Sequence, residues 1–137
     1  MRSNKGRDTD PELRLRSSLH RAGLRYRISA KPVPTLRRTA DVLFTKSRVA
    51  VFVDGCFWHG CPVHGSLPVR NRDYWVSKIE GTKRRDAETD LLLAEHGWRV
   101  VRVWEHTPVE EAVALVRCGL AEAEGGKPVR TLRADDR

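Results

Sequence analysis

The 137-residue chain is poor in cysteine, with 3, holds a single methionine, and has no apolar run near the ~20 residues that a membrane-spanning helix requires. So few cysteines exclude a disulfide framework and leave metal ligation or reduced thiols. No signal-peptide pattern opens the sequence, because MRSNKGRDTD is polar throughout, so a cytoplasmic protein, nucleoid-associated in a bacterium, is expected. No repeat and no compositional break marks a second domain. Residues 1–126 read as one domain, and 127–137, beyond Gly125-Gly126, as a flexible tail. Acidic residues are scarce at the start: residues 1–38 hold 3 Asp/Glu against 11 Lys/Arg, whereas residues 39–137 hold 15 of each. The whole formal net charge of +8 therefore sits in the first quarter. Such a placement suits a polyanion, with nucleic acid ahead of a membrane surface or an acidic protein, unless it is only a solvated terminus. Arg2, Lys5 and Arg7, with Arg37 and Arg38 in a Pro-containing basic loop, are the candidate phosphate contacts.

What is present divides into regular elements. Thr9-Asp10-Pro11-Glu12 reads as a helix start, with Thr9 or Asp10 as cap, Pro11 in the first turn, Glu12 closing a capping box if Thr9 caps, and Gly23 as the stop. A short strand is expected at 24–28. TADVLF (39–44) and RVAVFVDG (48–55) are rich in β-branched residues and joined by a short linker, which predicts a hairpin. Residues 73–97 carry a helical pattern that Gly81 could interrupt, with Leu91, Leu92 and Leu93 as core candidates. WRVVRVWE (98–105) is a further strand, and 108–123 a final amphipathic helix. The order predicts an α/β fold, a mixed sheet flanked by helices.

Two carboxylates interrupt the apolar strands. If the hairpin turns at Lys46-Ser47, Thr45 opposes Arg48 and Asp41 opposes Phe52. Asp41 and Asp54 then lie diagonally on one face, with Cβ atoms about 7 Å apart or less. A buried carboxylate needs a partner. Either a hard divalent cation that keeps several waters, Mg²⁺ by choice, sits between them, or each pairs with an arginine such as Arg38 or Arg48.

The stretch VDGCFWHGCPVH (53–64) concentrates two Cys, two His and a Phe-Trp pair beside two glycines. Cys56, Cys61 and His64 supply three zinc ligands on a Gly/Pro-containing loop, and a closed tetrahedral site needs a fourth. His106, directly after a strong strand, is the choice. Unrelated packing of the loop is the alternative. Cys118, between Val116 and Leu120 in the last helix, reads as a buried free thiol. His59, in the same loop, is left for chemistry. Phe57 and Trp58 either cap a small core or stack on and wedge between bases. His20 and His96 carry no functional assignment.

Taken together, TADVLF, VAVFVDGCFWHGCPVH, YWVSKIEGTKRRD and GWRVVRVWEH, preceded by the opening MRSNKGRDTDPELRLRSSLHRAGLRYR, resemble the very-short-patch repair endonucleases over roughly residues 1–106. The resemblance implies a zinc-containing fold of the PD-(D/E)xK, restriction-endonuclease-like type. It implies Mg²⁺-dependent nicking of one DNA strand 5′ to the thymine of a T·G mismatch, the product of 5-methylcytosine deamination. Mismatch-repair proteins and a companion cytosine methyltransferase are the partners it suggests besides double-stranded DNA. By the same resemblance, Asp41 is the metal-binding aspartate, and the Val53 carbonyl a second metal contact. His59 is the catalytic histidine, and Glu12 supports a water network. Phe57 and Trp58 wedge beside the mismatch, Met1 is the remnant of a minor-groove wedge, and Cys56, Cys61, His64 and His106 form the zinc set. The chain departs from a better-known branch at Asp54, where that branch carries a catalytically important histidine; an aspartate there could bind metal directly.

Two other readings of the same residues stand beside this one. A restriction-like enzyme would cut matched or modified DNA. A zinc-stabilised DNA-binding module would use its carboxylates only in salt bridges.

Overall fold

The computed structural model describes residues 10–55 and 71–134. Helix α1 spans Asp10–Arg21, and strand β1 spans Arg27–Ala30. Strands β2 (Ala40–Phe44) and β3 (Val49–Asp54) follow, then helix α2 (Arg72–Glu95) and strand β4 (Arg99–Trp104). Helix α3 (Val109–Glu124) and strand β5 (Thr131–Arg133) end the described chain. The five strands form one sheet in the order β1-β2-β3-β4-β5. β1, β2 and β3 are antiparallel neighbours; β3, β4 and β5 are parallel ones. Parallel neighbours need crossovers, and α2 and α3 supply them.

The sheet has apolar clusters on both faces, so its central strands read as near-continuous apolar runs rather than strict alternation. One cluster joins Leu15 and Leu19 of α1 and Ala112 and Val116 of α3 to Val42, Val51 and Val101. The other joins Leu93 of α2 and Trp98 to Leu43, Ala50 and Val100. Gly119 lets α3 approach closely: a Cβ there would stand 3.1 Å from Val101 Cγ2. The resulting helix–sheet–helix arrangement with a mixed sheet fits the restriction-endonuclease-like fold expected from the resemblance. Among the described residues no helix is long and apolar enough to cross a membrane.

The hairpin has the expected register, with Val42 opposite Val51, Leu43 opposite Ala50 and Phe44 opposite Val49. Gly23, with φ of 80°, ends α1 as expected, and the Leu24 N–H returns to the Leu19 carbonyl at 3.1 Å.

Other expectations need correction. The first strand lies at 27–30, a few residues later than expected. Gly81 does not interrupt α2, which runs unbroken for 24 residues. Of the three consecutive leucines, Leu93 alone is fully buried and Leu91 is 62% exposed, because successive helix residues turn by about 100°. Cys118 is exposed for the same reason: α3 buries Ala112, Val116 and Gly119 on one face, and Cys118 lies off it. The tail expected to be flexible contains β5. Leu132 is only 4% exposed, and the Ala134 N–H bonds the Arg102 carbonyl at 2.9 Å. A three-residue strand carries almost no local signal; its pairing with β4 comes from outside the segment.

Candidate active site

The site lies where β2 and β3 part. The ladder between them runs inward from Phe44–Val49 to Val42–Val51. Further along β3, the Val53 N–H donates to Asp41 Oδ2 at 2.7 Å. A strand residue sends its N–H and its C=O toward the same neighbour. The Val53 carbonyl therefore faces the Asp41 side, while the Asp54 carbonyl faces β4 and accepts the Glu105 N–H at 2.9 Å. Pro11 and Arg14 of α1, Val53, Trp104 and Glu105 contribute to a small open pocket beside this edge. It sits at the carboxyl ends of the parallel strands, where α/β sheets commonly bind ligands.

Asp41 carries the unusual chemistry. Burial raises its pKa from 3.8 to about 7, opposed by the Val53 N–H bond. The charges of Glu12 and Asp54 push it up further, and Arg16 pulls it down. Glu12, on the first turn of α1, is buried and accepts from Arg16 Nη2 at 3.3 Å. It stands close enough to Asp41 for its charge to act there. Tyr26 Oη donates to the Arg16 carbonyl at 2.8 Å, which ties the helix carrying Glu12 and Arg16 to the residue just before β1.

Asp54 has a different environment. It is 6% exposed and accepts from Arg102 Nη1 at 2.9 Å (Oδ1) and 3.3 Å (Oδ2). The arginine partner considered from sequence was Arg38 or Arg48; the structure supplies Arg102 from β4 instead. Arg38 is engaged elsewhere, with Thr89 Oγ1 at 2.7 Å and Glu88 Oε1 at 3.0 Å on α2. Arg102 is 3% exposed and also donates from Nε to Asp90 Oδ1 at 2.8 Å. Burial alone would lower its pKa, but Asp54, Asp90 and Asp86 outweigh that, and the guanidinium is held above the ordinary arginine value. Sequence reasoning missed this residue. The signal was a charge inside an apolar strand, RVVRVW, with Asp86 and Asp90 one helical turn apart in the preceding helix.

Among the described residues no group of three or more His, Cys, Asp or Glu side chains is arranged to hold a metal ion by itself. Hard oxygen donors are nonetheless present at one point, the Asp41 carboxylate and the Val53 carbonyl. Mg²⁺ is commonly held by one or two carboxylates with water and substrate phosphates supplying the rest. The donor set fits such an ion, and a nearby positive charge would relieve the burial of Asp41. Of the zinc set, His106 alone is among the described residues; it stacks on Trp104 with ring centroids 6.2 Å apart and planes at 10°. Met1, Arg2, Lys5, Arg7, Cys56, Phe57, Trp58, His59, Cys61 and His64 lie outside the described residues. Arg37 is exposed in the loop before β2.

A half-buried carboxylate beside a main-chain oxygen directed to its side, at the edge of a mixed sheet with helices on both faces, fits a hydrolase built on a restriction-endonuclease-like scaffold. Comparison with known proteins agrees. A family model described as DNA mismatch endonuclease Vsr matches residues 1–64. The chain is 41% identical over 136 residues to the type II nicking enzyme V.NaeI of Lentzea aerocolonigenes, covering 92% of this chain and 77% of that protein. It is 40% identical over 135 residues to the type II nicking enzyme V.NmeDIP of Neisseria meningitidis serogroup C, covering 91% of this chain and 86% of the relative. The DNA mismatch endonuclease Vsr of Escherichia coli K12 is 36% identical over 107 residues, covering 77% of this chain and 66% of that enzyme. The chain belongs to the Vsr endonuclease family and is a DNA endonuclease, a hydrolase acting on phosphodiester bonds.

Proposed function

We propose that this endonuclease nicks one strand of double-stranded DNA 5′ to the thymine of a T·G mismatch, using Mg²⁺ held at Asp41 and the Val53 carbonyl. The observation that carries the metal reading is the Asp41–Val53 contact, a carboxylate pushed to about pH 7 by burial beside a carbonyl directed to the same side. The nicking reading draws support from the relatives named for nicking, and the mismatch reading from the relative named for mismatch cleavage. When bound, Mg²⁺ supplies charge neutralisation at the phosphate under attack. Asp41 binds and orients through an anionic oxygen, its other oxygen fixed by the Val53 N–H. Glu12 supports a water network beside Asp41, and Arg16 restrains Glu12. His59 is the proton-transfer group, as general base to water or acid to the leaving oxygen; imidazole titrates near neutral pH and serves either role. Phe57 and Trp58 wedge into the stack, where a wobble pair offers less resistance than a matched one. Arg2, Lys5, Arg7 and Arg37 add phosphate contacts without base preference.

A structural zinc held by Cys56, Cys61, His64 and His106 completes the proposal. Its support is the ligand spacing together with the parallel register of β3 and β4, in which Asp54 pairs with Trp104. Those two residues stand two positions before Cys56 and His106 in the sequence. The test of the function is digestion of end-labelled duplexes, matched and mismatched, with Mg²⁺. Selective nicking at T·G supports it, and double-strand cutting of matched DNA favours a restriction-like enzyme.

A further inference from the structure

The buried cluster around Arg102 reaches the cleavage site through a single peptide bond. Asp54 follows Val53 directly, and Val53 carries the N–H that fixes Asp41 at 2.7 Å. The Asp54 side chain is turned to the α2 face, where Arg102 Nη1 holds both of its oxygens, at 2.9 and 3.3 Å. Arg102 is in turn fixed from other directions. Asp90 accepts from its Nε at 2.8 and 3.2 Å, Asp86 Oδ1 stands 3.9 Å from Nη1, and the Phe52 ring lies under the guanidinium with its centroid at 4.4 Å. Arg133 of β5 braces Asp90 at 2.9 Å. The guanidinium fork makes this a rigid grip that a flexible ammonium would not reproduce. The end of β3 is therefore held on two sides, by Arg102 through the Asp54 side chain and by β4 through the Asp54 carbonyl.

We propose that Arg102 is a positioning residue for strand cleavage: by gripping Asp54 it fixes the Val53 main chain against Asp41 and keeps the Asp54 carboxylate out of the metal's coordination shell. This rests on the reading of Asp41 and Val53 as the metal contact. It assigns Asp54 a role different from direct metal binding. Displacement of a reacting group by about 1 Å can lower a rate by ~10²-fold, so a grip one peptide away has kinetic weight. An Asn at position 54 keeps an acceptor for Arg102; an Ala does not. Either variant leaves Arg102 its contacts with Asp90 and Asp86, so the cluster retains partners for its cation.

The test compares Asp54→Asn, Asp54→Ala and Arg102→Lys with the unsubstituted protein. Single-turnover cleavage is measured on whichever duplex the unsubstituted protein cuts fastest, so a wrong T·G assignment leaves the readout intact. Mn²⁺ binding to the protein–DNA complex is followed by calorimetry. Asp54→Asn is expected to keep the cleavage rate and the Mn²⁺ affinity within about threefold, because no metal ligand is lost. Asp54→Ala and Arg102→Lys are expected to cleave about tenfold more slowly or worse, with DNA affinity unchanged. Mn²⁺ binding weakened about tenfold or more in Asp54→Asn would make Asp54 a ligand and overturn the proposal. So would a folded Asp54→Ala that cleaves at the unsubstituted rate, since the pair would then serve only the fold. Should Arg102→Lys fail to fold, the two Asp54 variants decide alone.

Discussion

Replacing Asp41 by Asn is expected to stabilise the metal-free protein while abolishing cleavage. Burial holds the Asp41 pKa at about 7 against 3.8 for the exposed group. Between those values the folded protein binds the proton more tightly than the unfolded chain does, so stability falls as pH rises through that window. Above it the ionised carboxylate costs the fold up to about 4 kcal/mol, at about 1.4 kcal/mol per pKa unit. Asp41 keeps partial contact with solvent, so about 2–4 kcal/mol is the expected range. The neutral amide escapes this cost, and its oxygen can still accept the Val53 N–H. For a domain of this size each kcal/mol moves the melting temperature by about 3–4 °C, so Asp41→Asn should melt about 6–16 °C higher at pH 8. The difference should shrink as pH falls toward 4, where the native carboxyl also carries a proton. The assay is thermal unfolding in Mg²⁺-free buffer without chelator, so that a structural zinc is not stripped. Added Mg²⁺ should raise the melting temperature of the unsubstituted protein and leave that of the variant unmoved. A variant that melts at or below the unsubstituted protein at pH 8 refutes the burial account of Asp41.

Leu132→Ala should lower stability by about 2–3 kcal/mol in denaturant unfolding, because β5 is packed structure and its one apolar side chain is buried. A change near zero would return residues 131–133 to the status of a tail. Elemental analysis of protein purified without chelator should find one zinc per chain; none would remove Cys56, Cys61, His64 and His106 from any shared site. His59→Ala should slow cleavage by about 10²–10⁴-fold under single turnover with DNA affinity retained. A much smaller loss would assign proton transfer to another group.

The sheet was legible where local signals are strong. Runs of β-branched residues marked β2, β3 and β4, and the period of two, with a short turn, was enough to set the hairpin register. Asp41 was visible as a charge breaking an apolar strand, and its raised pKa follows from that placement. The partner of Asp54 was not visible. Arg102 is 48 residues away in sequence and reaches Asp54 only because β4 returns parallel beside β3 through α2. β5 escaped for the same reason, since three residues with one leucine form a strand only when a crossover helix lays them against β4. Cys118 was misplaced by neighbours in sequence that are not neighbours on the helix face.

Metal-dependent nicking directed by a mismatch is tested by initial rates on two end-labelled duplexes that differ only in a T·G or a C·G pair, at one salt concentration, with and without Mg²⁺. A single nick 5′ to the mismatched thymine is expected, faster than any cleavage of the matched duplex and absent without Mg²⁺. Equal rates on the two duplexes, or cutting of both strands of the matched one, would contradict it.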